Sequence, residues 1–235
     1  MRKSTHTFKV LSSLTLATLL TACGSDNDND NNDEPETADF EVTIVNATAA
    51  QPFSPLTIGL HDAETSLWTF GEESSEALEQ MAEGGDNSGL LAMLEGAHAS
   101  ASGAGIIMPG LSETVMLSSE VDEPIYFSAT TMLVNTNDAF AGVNSADISA
   151  LAAGESMTWS LHLYDAGTEA NSELAGSIPG PADSGEGFNA NRDDVMNKIS
   201  RHPGLVTQAD DPDSVLLSQH RVIGSVATLT VTRMN

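Results

Sequence analysis

Acids on two short loops are the residues of this chain best placed to do chemistry. Asp138 follows an apolar run and shares its loop with Asn135 and Asn137, while Asp165 and Glu169 flank Ala166-Gly167, a turn tight enough to bring two carboxylates round one centre. Three converging carboxylates repel one another unless a cation joins them. An all-oxygen set suits calcium, which takes six to eight ligands at about 2.3–2.6 Å from carboxylates, carbonyls and waters. Ordinary turn chemistry also fits, with Asp165 making an Asx turn onto Gly167. So does acid–base work on a small substrate by a pair such as Asp138 and Asp165. Depth separates these readings, because a catalytic pair lines a deep, partly apolar pocket and a structural calcium lies at a loop tip.

Other chemistries have thinner support. No G-x-S-x-G elbow, H-E-x-x-H helix, P-loop or Rossmann glycine pattern occurs, so the chain reads as a non-enzyme. Beyond His6, the histidines are His61, His98, His162, His202 and His220, none paired at i and i+4 for zinc. His61 and His162 fall on the polar faces of alternating segments, where solvent or cross-strand partners are expected. Trp159 falls on an apolar face and reads as core, whereas Trp68 and Phe70 lie in a loop region and either close the core or stack on a ligand.

Cys23 is the single cysteine, which rules out an intramolecular disulfide. Before it, Arg2, Lys3 and Lys9 precede a run over 10–22 without a charged residue, too short to cross a ~30 Å hydrocarbon core. That is the profile of a secretory signal peptide over 1–22. Leu20-Thr21-Ala22-Cys23-Gly24 resembles the lipobox of bacterial lipoproteins, which implies cleavage before Cys23 and a lipid anchor on its sulfur. No Asp immediately follows the cysteine, so the same resemblance implies transfer to the outer membrane where the cell has one. Residues 23–39 are rich in Asp, Asn, Glu and Ser and read as an acidic disordered tether. Asp26, Asp28 and Asp30 imitate the start of an EF-hand loop, but Asn31 and Thr37 stand where Gly and Glu are needed.

Eight Lys and Arg face 34 Asp and Glu, for a formal charge of −26. Such a surface repels phosphates and anionic headgroups, which excludes nucleic acid as a partner and leaves lipid on Cys23 as the membrane link. Residues 40–235 suffice for one sizeable core. Period-two alternation marks strands at 40–44, 56–60, 113–117, 125–134, 157–163 and 227–231. Helical spacing marks 76–83 and 88–95, separated by Gly84-Gly85, and a third helix over 192–200 that Pro203 stops. Strands at both ends with short helices in the connections predict an all-β antiparallel sandwich with short helical insertions.

The acidic loops also carry a family resemblance. The segment 131–142, Thr-Met-Leu-Val-Asn-Thr-Asn-Asp-Ala-Phe-Ala-Gly, resembles the strand and loop of the spondin N-terminal domain. Asp165-Ala166-Gly167-Thr168-Glu169 resembles that family's second hallmark, and Ile178-Pro179-Gly180-Pro181 its Ile-Pro segment. The resemblance covers most of 40–235, with F-spondin and mindin as animal relatives. It implies a C2-like β-sandwich whose loops hold calcium through Asp138, Asp165 and Glu169. It also implies an adhesion or ligand-binding module for a glycan or a surface protein. Glu169 stands where animal members have Asp, and Ala139 where they have Trp.

Overall fold

The structure, a computed structural model, describes residues 36–120, 124–193 and 196–235. The expected leader over 1–22, the lipidated Cys23 and all but the last residues of the tether lie outside the described residues. Ten strands are found among those residues: β1 (Thr37–Asn46), β2 (Thr57–His61), β3 (Ala99–Ser102), β4 (Ser112–Glu120), β5 (Tyr126–Met132), β6 (Ala139–Asp147), β7 (Ser156–Leu161), β8 (Leu163–Asp165), β9 (Ser200–Arg201) and β10 (Ala227–Arg233). They form one sheet in the order β4-β1-β10-β7 and another in the order β3-β2-β5-β6-β8-β9, with every pairing antiparallel. This is the expected all-β sandwich.

Alternation explains the first sheet. In β1, Ala38, Phe40, Val42 and Ile44 are buried while Asp39, Glu41 and Thr43 point the other way, and in β10 Ala227, Leu229 and Val231 are buried. The register sets Val42 opposite Val231 and Ile44 opposite Leu229, so the two apolar rows face one core together. β1 begins at Thr37, three residues before the domain boundary expected at Phe40.

The second sheet departs from simple alternation. Every residue of β2 is buried, His61 included; helix α1 (Glu76–Gly84) packs over the neighbouring β5 and β6, and α2 (Ser88–Met93) lies over β2 itself. Gly59 permits that cover, since a Cβ there would lie 2.7 Å from the Leu94 side chain. His61 is no surface residue: it bonds Ser128 across the strands at 2.8 Å and the Asp62 carbonyl at 2.7 Å. Leu78, Met81, Ala82, Leu90 and Leu94 form a second apolar cluster with Trp68, Met132 and Phe140 on this face. The Ser75 hydroxyl caps α1 by accepting from the Leu78 amide.

Two expectations fail. The run over 157–163 is not one strand, because the chain leaves the first sheet after Leu161 and joins the second at Leu163. The helix expected over 192–200 is absent among the described residues. Asn197 has φ of 44°, outside the helical region, and Ser200–Arg201 is β9. The Arg192 side chain is held instead by Glu79, the Ser74 carbonyl and Asn197, and these tertiary bonds override local propensity.

Candidate functional site

The pairing of β6 with β8 builds the acidic site. Ala139 lies opposite Asp165, so Asp138, one residue before β6, meets the turn that leaves β8, and the Ala166 amide donates to the Asp138 carbonyl. Asp138 is fully buried. Its Oδ2 accepts from the Thr168 amide at 2.8 Å, the Thr168 hydroxyl at 3.2 Å and the Glu169 amide at 3.1 Å. Its Oδ1 is buried without a hydrogen-bond partner. A carboxylate with one well-bonded oxygen and one bare one is costly to ionise there.

Asp165 does make the Asx turn, its Oδ1 accepting from Gly167 at 2.7 Å and its Oδ2 from Asn171 at 2.5 Å. Gly167 has φ of +72°, and a Cβ there would come within 2.5 Å of the Lys198 backbone, so only glycine serves at this turn. Glu169 stands half-buried at its far side. Asn135 and Asn137 act as clamps: Asn135 bonds Ala182 and Ala50, while Asn137 accepts from the Glu173 amide and donates to Ser177.

Two further acids complete the cluster. Glu173 is fully buried, with Oε2 bonded to the Val206 amide and Oε1 unpartnered. Glu83, at the end of α1, is also buried, with Oε2 bonded to the Asn189 amide and Oε1 unpartnered. Glu173 lies just past the turn motif and carried no distinguishing pattern. Glu83 had a faint signal, because an acid in the last turn of a helix, four residues after Glu79, opposes the helix dipole and its own neighbour.

Proximity shows in the acidities. Burial first, then the charge of Asp165, pushes the Asp138 carboxyl up to about 7. Burial, then the charge of Glu83, pushes Glu169 up to about 8, and burial, with lesser pushes from Asp138 and Asp165, raises Glu173 to about 7. Arg192, paired with Glu79 at 2.6 Å, is the cation bound beside this cluster, and it is committed to that pair. Among the described residues no group of three or more His, Cys, Asp or Glu is arranged to hold a metal ion. The bare oxygens of Asp138, Glu173 and Glu83 and the all-oxygen surroundings nevertheless fit a hard cation in donor chemistry.

Compared with known protein families, residues 45–176 match the family described as Spondin_N. No curated protein matches the chain. The match spans both acidic loops.

Proposed function

From the premise that this chain belongs to the spondin N-terminal domain family, we propose that it is an exported adhesion or ligand-binding module, anchored in the cell envelope by lipid on Cys23, whose loop end is organised by calcium. The family supports an extracellular binding role of this general kind. The supporting observation for calcium is the buried, unpartnered Oδ1 of Asp138 among acids whose carboxyls are raised to about 7 or 8. Asp138, Asp165 and Glu169 would hold the ion. Bound calcium supplies two positive charges to a cluster that otherwise ionises only against its own repulsion. Six to eight ligands leave room for carbonyls and waters beside the carboxylates.

The same burial speaks against catalysis by the acid pair. A substrate has no access to a fully buried Asp138. The module therefore reads as non-enzymatic.

Calcium titration with thermal melting tests the site. Binding to the folded state alone stabilises by RT ln(1 + [L]/Kd), about 2.7 kcal/mol at a hundredfold excess over Kd. Calcium is expected to raise the melting temperature by several degrees, and magnesium much less, because magnesium demands octahedral geometry and keeps its waters. Asp138→Asn and Asp165→Asn each remove most of the calcium-specific rise. Asp30→Asn changes the charge equally and is expected to do nothing; an equal loss in that variant would reduce the response to charge screening.

A further inference from the structure

We propose that the flank of the sandwich where the chain crosses from β7 to β8 is a binding groove for a neutral saccharide. The inference rests on the ligand-binding reading above and supplies the ligand class. The groove has a volume of about 520 Å³ and runs between β7 of one sheet and β6 and β8 of the other, closed at one side by the loop around Trp68. That volume lies within the ~300–1,000 Å³ of small-ligand sites. Four aromatic rings line it: Trp68, Phe70, Trp159 and Tyr164.

These rings are fixed before any ligand arrives. Trp159 is half-buried and stacks on Phe127 with centroids 5.7 Å apart. Trp68 stands edge-on to Phe140 at 5.3 Å, and Phe70, 53% exposed, stands edge-on to Tyr164 at 4.9 Å. The Trp68 loop is pinned by Asn144, which donates to the Trp68 carbonyl at 2.8 Å and accepts from the Leu67 amide at 2.9 Å. Gly142 makes the room, since a Cβ there would lie 2.8 Å from the Trp68 ring. Ser145, at the rim, holds φ of 50° without being glycine, a conformation that persists where surrounding bonds impose it. Rigid aromatic surface binds at little entropic cost.

The chemistry of the lining selects the ligand. Among the described residues no carboxylate lines the groove, in a chain whose formal charge is −26; the one charge placed against its rings is the Arg201 guanidinium over Tyr164 at 5.6 Å, and the rings are interleaved with the hydroxyls of Ser66, Thr69, Ser145 and Ser160. An uncharged ligand with a flat C–H face and a hydroxylated edge matches both features. A β-linked gluco-type pyranose has this shape, its equatorial hydroxyls leaving the ring faces free to stack. Sulfated or uronic glycans meet net repulsion from the acidic chain.

The chain has two tryptophans and both line this groove, so intrinsic fluorescence reports on it directly. The full chain is titrated with cellohexaose, N-acetylchitohexaose, a heparin-derived hexasaccharide and an extended Thr-Val octapeptide. The expected result is a saturable fluorescence change with a neutral oligosaccharide and none with the sulfated one. Phe70→Ala weakens the binding at least about tenfold, as loss of an exposed aromatic anchor does, with the melting temperature kept. Ile223→Ala, an exposed apolar residue outside the groove, leaves binding unchanged. Silence toward both neutral sugars, an equal response to the sulfated one, or a response to the peptide alone overturns the proposal. A silent groove beside an intact calcium response overturns the saccharide assignment only. A sugar response with no calcium response supports the groove and overturns the calcium site only.

Discussion

Asp138, Glu169 and Glu173 carry a pH dependence whose sign follows from their surroundings. Each is raised by burial and neighbouring acids, to about 7 or 8, so the folded chain keeps protons that the unfolded chain has released. Stability from such a group is complete below its unfolded value, near 4, and is lost as pH rises through the folded one. Half-buried His202, lowered to about 4 by burial of its ring, works the other way, and so in direction do His61 and His220: the unfolded chain takes up their protons as pH falls below about 6.5, and there they offset the acids. With calcium chelated, the melting temperature is therefore expected to fall between pH 6.5 and 8. Saturating calcium should flatten or reverse that fall, because it binds the deprotonated acids. A chelated protein that grows more stable across this window contradicts the cluster. Asp138, Asp165 and Glu169 were legible as candidates because each sits in a recognisable turn. Glu173 was not, and Glu83 only faintly from its place at the end of α1, because what gathers them is the approach of distant segments, the Val206 amide to one and the Asn189 amide to the other.

Among the elements, alternation located strands that bury one face and strands that bury both, but it did not show which strands are covered on both sides. The alternation of β1 and β10 identifies their inner rows, Phe40-Val42-Ile44 and Ala227-Leu229-Val231. β2 shows the same alternation, yet its polar row is covered too, because α2 and Leu94 return over it from later in the chain. The break after Leu161 was invisible for a related reason: apolar residues on both sides of His162 serve two different sheets. β10 lies between β1 and β7, so truncation after Ser225 removes a ladder on each side as well as four fully buried apolar side chains, Val226, Ala227, Leu229 and Val231. Burial of one Leu or Val is worth about 1.5–3 kcal/mol, and a whole strand with its hydrogen bonds exceeds a usual margin of about 5–15 kcal/mol. The truncated chain is expected to lose its cooperative thermal transition, and an unchanged melt would refute the central place of β10.

For the whole molecule, the proposed envelope anchoring rests on one atom, the sulfur of Cys23. Cys23→Ser is expected to leave an uncut precursor that no fatty-acid probe labels, and wild-type protein should fractionate with the outer membrane of a cell that has one. Cleavage elsewhere without lipid would sink the anchor. The placement of β1 then acquires a mechanical meaning. Residues before Thr37 enter at one end of β1, while its other end, at Asn46, leads to Ala50 and Gln51, which bond Asn135 in the acidic loop. Ten residues at about 3.3 Å each put entry and loop roughly 33 Å apart. A pull between an N-terminus anchored as proposed and a partner engaging the far end of the domain would run along β1, which is paired with β4 on one side and β10 on the other. Such a load shears many ladder hydrogen bonds at once instead of peeling them one by one, so if the chain is anchored as proposed, the strand next to the anchor also resists being dragged out under flow.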